Sequence, residues 1–319
     1  MFSRVFFLVC LFYSVVLCAE PSIGSSAPSA LAPVESRSPF AFSDPLKAPC
    51  SGIPRKGVWI GNTSVAFQLD FGNGQKCAYK PFTTQMRTRY RNEVAAYRLA
   101  RALGLLNVPS ASTVCFDKGK LRAIINFGRE ARRKRFDQEV RSETKGKTWG
   151  ALMRWISPYQ TFSLKEAQWK PWLKKGGEVP SSSRSLAVQL STLLVFDVLI
   201  GNWDRWSGNN LGLYPPTQML LYIDHDGAFF YPEPPLLQKT RKKFQDVDRF
   251  SRGLIEAIRV LLDQDNQEKL ISVIGEEQTG VPLLSSGAMQ GIRERGIWIL
   301  EQIEKKKAIL GDSEVLYFE

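Results

Sequence analysis

Between Leu193 and Phe230 the chain sets carboxylates and carboxamides at the ends of apolar runs. Asp204, Arg205, Asn209 and Asn210 share a polar loop that opens at Gly201-Asn202, where a run ending Asp197-Val198-Leu199-Ile200 breaks off. Asp224 and Asp226 follow a short apolar run, Met219 to Ile223, on a turn at Gly227. Holding such groups at the tips of a buried helix and strand is costly unless they bind a cation or reactive oxygens. Upstream, Lys80 closes an alternating run just before Pro81, and Glu93 follows it. A cation for phosphates, a carboxylate beside an acceptor oxygen and oxygen ligands for a divalent ion are what metal-assisted phosphoryl transfer requires.

These groups need elements to position them. A helix is predicted from about Ser185 to Ile200, with Leu186, Leu190, Leu193 and Leu194 on its core side and the serines before it placed to cap it. Asp197 within it reads as a structural acceptor for loop backbone or Arg205, and His225 as a packing group rather than a base. The stretch GVWIGNTSVAFQLDFGNGQKCAYKPF reads as strand, loop, strand, turn, strand, with Gly72-Asn73-Gly74 as the hairpin signal. Gly57, Gly61, Asn62, Thr63 and Ser64 supply backbone and hydroxyls that either cover a polyphosphate or merely make a β-turn. A helix from about Thr88 to Leu103, closed by Gly104, carries Glu93, which either pairs with Arg89 or Arg101 on the surface or reaches back to Lys80. A second hairpin is expected from Ser112–Phe116, a turn at Lys118-Gly119, and Leu121–Asn126. Residues 128–148, dense in Arg and Lys, read as a solvated excursion or a substrate-docking patch. Trp149–Ile156 is a candidate strand between two lobes. Then come proline-rich Tyr231–Leu237, a basic turn at Lys239–Lys243, and helices at about 251–263, 266–274 and 286–309. The first half is thus mainly antiparallel sheet with one helix, and the second mainly helical.

The chain has 319 residues, 44% hydrophobic and 23% charged, enough for a two-lobed core. Residues 1–19, with Arg4 ahead of an apolar run, read as a signal peptide too short to span a membrane comfortably. Residues 20–50 are Pro-, Ser- and Ala-rich and read as a disordered linker. The expectation is therefore a protein secreted into a secretory lumen or a periplasm, with no stable membrane span after signal cleavage. The mature chain keeps Cys50, Cys77 and Cys115, so at most one internal bridge forms; Cys77 and Cys115 read as core residues of strands. The net charge of +12 favours anionic partners or simple solubility. Poor aromatic interleaving and the lack of a nucleic-acid motif argue against nucleic acid.

In the order YKPF, RNEVAAYRLARALGLLNVP, FDVLIGNWDRWSGNNLG and LYIDHDGAFF, about residues 55–260 resemble the atypical protein-kinase-like superfamily. The secretory-pathway (Golgi casein kinase and four-jointed-like) and bacterial phosphoinositide 3-/4-kinase-like branches, related to the HipA type, are the nearest in pattern. The resemblance implies an α+β bilobal protein-kinase-like fold: an antiparallel β-rich N-lobe with one helix over residues 51–156, and a mainly helical C-lobe over 157–319. It implies ATP and Mg²⁺ or Mn²⁺ as cofactors. Lys80 would contact the nucleotide phosphates and pair with Glu93, and Asp204 would be the catalytic carboxylate. Asn209 and Asp224 would bind metal, with Asn210 and Asp226 as alternates, and Gly57–Ser64 would be the phosphate-covering loop. The acceptor would be a protein Ser/Thr or a glycan hydroxyl, an acidic acceptor among the options. Trp206 stands where many relatives carry His after Asp-Arg. That departure keeps open an alternative, a pseudokinase or nucleotide-binding scaffold that regulates another exported enzyme. Transfer of an adenylyl group is a third option.

Overall fold

The turn Gly72-Asn73-Gly74 sets the register of the first sheet. Both glycines take positive φ (78° and 79°), the Asp70 carboxylate accepts from the Gly72 amide, and the Asn73 side-chain Oδ1 accepts from the Gln75 amide. In the computed structural model, which describes residues 50–86, 89–142, 144–162, 166–207, 210–263, 267–275 and 280–319, this turn joins β2 (Phe67–Asp70) to β3 (Lys76–Pro81). With β1 (Lys56–Trp59), β4 (Ala111–Asp117), β5 (Ile125–Asn126) and β6 (Lys147–Arg154) they form a six-stranded sheet in the order β4-β6-β3-β2-β1-β5. All pairs are antiparallel except β1 with β5. The signal peptide and nearly all of the linker expected for residues 1–50 lie outside the described residues.

Helix α1 (Tyr90–Ala102) follows β3. The expected second hairpin does not form: after β4 the chain turns into helix α2 (Lys118–Ile124), and β5 then runs parallel to β1. Asp117 decides this, because its carboxylate accepts from the Lys120 amide (2.7 Å) and caps a helix whose Leu121 is buried in the sheet's core. The charged stretch is solvated as expected, with most of residues 128–139 exposed, but it is ordered. It forms α3 (Glu130–Glu139), held by one fully buried side chain, Phe136, against Phe67 and Phe127. Among the described residues this half therefore carries three α-helices rather than one. Cys77 is not a free core thiol, since it forms a disulfide with Cys50 and pins the segment ahead of β1 to β3.

The second half centres on α5 (Arg184–Ile200), apolar enough by composition to pass as a membrane span. Its residues from Leu190 to Ile200 are all buried, and it packs on α6 (Leu237–Gln245), α9 (Ser286–Leu310) and β9 (Met219–Tyr222). It is a core helix. The serine run forms a 3-10 turn, and Ser183 makes no side-chain cap bond. A small sheet of β7 (Gln160–Thr161), β8 (Leu211–Tyr214) and β9, the one-turn α4 (Glu166–Trp169), α7 (Arg252–Leu262), α8 (Gln267–Ile274) and α10 (Asp312–Val315) complete it. The expected basic turn at Lys239–Lys243 lies inside α6, where Thr240 and Phe244 are buried on one face. Helix α1 belongs to both halves: it packs on β4 and β6, yet Val94, Leu99 and Leu103 share the core of α5.

Candidate active site

Strand alternation fixes which face of the sheet each β3 side chain takes. Trp59, Phe67, Tyr79 and Leu152 form one cross-strand row, buried in the core beneath α3. Lys80, next to Tyr79, leaves by the opposite face. That face also carries the row Val58, Gln68, Ala78 and Met153, in which Val58 is 42% exposed. Where the chain leaves β6, Ile156 is buried with Leu221 against Met219 and Ile223.

Lys80 Nζ donates to Glu93 Oε1 of α1 (2.5 Å), to Asp224 Oδ1 (2.6 Å) and to Asp226 Oδ2 (3.5 Å). Glu93 therefore reaches back to Lys80 rather than pairing on the surface. Its second oxygen meets His225 Nδ1 (3.1 Å), and Oε1 also accepts from the His225 amide (3.0 Å). His225 is buried with its ring edge-on to Phe196, a packing and orienting group as expected. Burial pushes both Lys80 and Glu93 toward neutrality, but opposite charge wins: Asp224, then Glu93 and Asp226, raise Lys80 well above its ordinary value, and Lys80 together with His225 holds Glu93 well below the carboxylate range. Asp226 goes the other way. Burial, followed by repulsion from Asp224 and Glu93, outweighs Lys80 and pushes it up to about 6.

The turn bearing these carboxylates is strained and tied down. Asp224 takes φ 62°, a left-handed conformation seldom adopted by non-glycine residues. Asn92 of α1 donates from Nδ2 to the Asp226 carbonyl (3.3 Å) and the Ala228 carbonyl (2.8 Å). Gly227 lies against the loop after α5, where an added Cβ would come within 2.9 Å of Asp204 Cβ. Asp204 thus stands beside the Asp224–Gly227 turn.

The loop that holds Asp204 starts where Gly201 ends α5 in the left-handed region (φ 65°). A Cβ there would press on Arg295, fully buried, whose Nε donates to the Leu199 carbonyl (2.9 Å). Asp197 does the structural job expected of it, taking the Arg205 guanidinium in a pair with no exposure on either side. Arg205 in turn donates to the Asn210 and Ile223 carbonyls, which joins the loop to the end of β9. Asn202 Oδ1 accepts from the Asp204 amide (3.1 Å), and Asn210 Nδ2 donates to Asp204 O (3.0 Å) and Oδ2 (3.3 Å). Trp206 is fixed by α6, with Lys243 Nζ 4.7 Å from its ring centroid.

Lys80, Glu93, Asp204, Asn210, Asp224 and Asp226 are thus brought together. Asn209 lies outside the described residues. Gly61, Asn62, Thr63 and Ser64 form a loop at the Lys80 end of the sheet, since the Ala66 carbonyl receives the Ile60 and Gly61 amides and Phe67 stands opposite Tyr79. Gly57 is not in that loop. It sits within β1, where a Cβ would meet Ile125 and Leu69 at 3.0 Å, so close packing of strands accounts for it. Asn92 carried no signal in the sequence, because its two acceptors lie more than 130 positions away.

Three carboxylates around one lysine leave an excess of negative oxygen donors, the kind of set that suits a hard divalent cation. Among the described residues no group of three or more His, Cys, Asp or Glu side chains is placed to hold a metal ion by itself, so the amide oxygens and the phosphates would have to complete any such set.

The fold matches solved structures of kinases. A Golgi casein kinase superposes with TM-score 0.59 at 14% identity over 86% of this chain and 77% of that one. A Golgi casein kinase with Mn/ADP bound gives 0.60 at 15% identity, over 86% and 77%. The hydra Fam20 solved with sugar gives 0.61 at 15% identity over 83% of this chain and 88% of that one. No protein-family model matches the chain, and no curated protein matches it. The chain has an α+β bilobal, kinase-like fold like that of these structures.

Proposed function

We propose that the protein is an exported atypical kinase that transfers the γ-phosphate of ATP to a hydroxyl of a protein Ser/Thr or a glycan. The observation that carries this is the single cluster in which Lys80 joins Glu93, Asp224 and Asp226 beside Asp204. The row Val58, Ala78 and Met153 offers an apolar wall for a base, and Lys80, held charged by its carboxylates, a partner for phosphates. Asp224 with Asn209, or their neighbours Asp226 and Asn210, would hold Mg²⁺ or Mn²⁺. That ion supplies charge neutralisation on the phosphates. Asp204, oriented by Asn202 and Asn210, accepts the acceptor's proton as its oxygen bonds to phosphorus and ADP leaves. A fold neighbour solved with Mn/ADP and another solved with sugar support this choice of cofactors and acceptor classes. The Cys50–Cys77 disulfide suits an oxidising compartment.

The test is label transfer from γ-labelled ATP with metal, comparing wild type with Asp204→Ala and Asp224→Ala. Loss of a carboxylate that acts in the transition state is expected to lower turnover by about 10²-fold or more. Equal transfer by all three proteins ends this reading. The second reading, a pseudokinase scaffold, is favoured by Trp206, which is fixed beneath Lys243 at the position after Asp-Arg. Metal-dependent ATP binding with no turnover or autophosphorylation supports it.

A further inference from the structure

The loop between β1 and β2 is held from outside itself. Trp59 Nε1 donates to the Gly61 carbonyl (2.5 Å). Arg135 of α3 takes the next two carbonyls, Nη1 on Asn62 O (3.1 Å) and Nη2 on Thr63 O. Arg135 is itself locked, with Nε on Glu139 Oε1 (2.6 Å) and its guanidinium 5.8 Å from the Trp59 ring centroid. The end of α3 is fastened in turn, because the Glu139 carbonyl accepts from the Thr84 amide (2.8 Å) just past β3.

The direction of these bonds matters more than their number. Trp59 and the buried Phe136 of α3 lie on the sheet face opposite Lys80, so all three carbonyls are drawn away from the Lys80 face. Among the described residues only the bonds before Pro158 and Pro232 are cis, so the loop peptides are trans. In a trans peptide the C=O of one residue and the N–H of the next point in opposite directions. The amides of Asn62, Thr63 and Ser64 are therefore turned toward the Lys80 face, and none has a hydrogen-bond acceptor among the described residues. Consecutive amides on one side of a tight loop make a seat for an anion. Gly61 permits the tightness, since a Cβ there would fall 2.0 Å from the Ser64 carbonyl oxygen.

We propose that Arg135, with Trp59, is a positioning residue that aims the amides of Asn62, Thr63 and Ser64 at the phosphates of a nucleoside di- or triphosphate. This rests on the kinase reading above and adds to it the role of α3, which belongs to none of the motifs that carry the resemblance. Equilibrium binding to the full chain tests it, with Mg·ATP, Mg·ADP and adenosine as probes, for wild type, Arg135→Gln and Arg135→Lys. Arg135→Gln is expected to weaken ATP and ADP about tenfold, the size expected for losing an aimed polar contact, and to leave adenosine unchanged. Lysine spans only one carbonyl and should fall between. A brace that serves stability alone would weaken all three probes equally; that result, or no change at all, overturns the proposal. Wild type that binds none of the probes overturns the kinase reading and this inference together, whereas Arg135→Gln binding like wild type overturns this inference only. Should Arg135→Gln fail to fold, Trp59→Phe keeps an aromatic ring and removes the Gly61 donor. The same selective loss is expected of it at smaller size, and its absence overturns the proposal.

Discussion

Asp226 and Glu93 touch the same lysine and titrate in opposite senses. Asp226 is pushed from 3.8 up to about 6, chiefly by burial and then by its carboxylate neighbours. Between those values the folded chain keeps a proton that the unfolded chain has released, so the proton favours folding at the lower end of the window. That contribution is lost as pH rises through about 6. Glu93 is held below its ordinary 4.5, so its contribution is present above that value and is lost as pH falls. Asp226→Asn should flatten the fall in stability of the unliganded protein between about pH 4 and 6, read by urea denaturation across that range. A wild-type-like pH profile in the variant would contradict the assignment. Asp197 is a different case: burial raises it and Arg205 opposes, inside the scaffold of the loop that carries Asp204. Breaking a fully buried pair leaves an uncompensated guanidinium, so Asp197→Ala should cost about 3–5 kcal/mol of stability. A well-folded variant with selectively lost ATP binding would reverse that role.

At the scale of elements, α1 is the joint of the molecule. Its Glu93 and Asn92 hold the Asp224–Ala228 turn, its apolar face lies in the core of α5, and Arg98 donates to the Ile274 carbonyl at the end of α8 (2.6 Å). A helix fixed at three places keeps Glu93 in reach of Lys80. Helix α6 does similar work beneath the loop that carries Asp204, through Thr240 on the Asn202 carbonyl (3.1 Å) and Lys243 on Trp206. The disulfide acts on β3 itself: it closes a 27-residue separation and anchors the strand that delivers Lys80. Cys50→Ser should lower stability by about 2–4 kcal/mol, measured by denaturant titration without reductant. An unchanged midpoint would mean that the bridge is energetically idle.

Across the whole molecule, the polar cluster sits where the sheet, α1 and the α5 core meet, and its charges are balanced unevenly. A ligand that supplies cation and phosphate together answers both the excess carboxylates and the unpaired loop amides. Mg·ATP at about 100 times Kd should therefore stabilise the fold by about 2.7 kcal/mol, visible as a raised Tm. Asp224→Ala should abolish that gain; a Tm unmoved by Mg·ATP in wild type would speak against nucleotide binding altogether.

Local pieces were legible in the amino-acid order alone: the Gly72–Gly74 hairpin, α1, α5 and the helices α7, α8 and α9 within a residue or two, and the succession Lys80, Glu93, Asp204, Asp224. Those follow from side-chain period and turn chemistry, which act over a few residues. Helices α2, α3 and α6 were illegible because one cap or a few buried side chains, Leu121, Phe136 and Phe244, outweigh a polar composition, and burial is decided only by what packs above. The same holds for the Cys50–Cys77 bridge, for Asn92 and for the grip of Arg135 on the β1–β2 loop, where the partners lie from 27 to 136 positions away. Tertiary structure alone chose which of several plausible partners Glu93 would take, because a carboxylate sealed from water must settle beside the nearest cation it is packed against, and here that cation is Lys80.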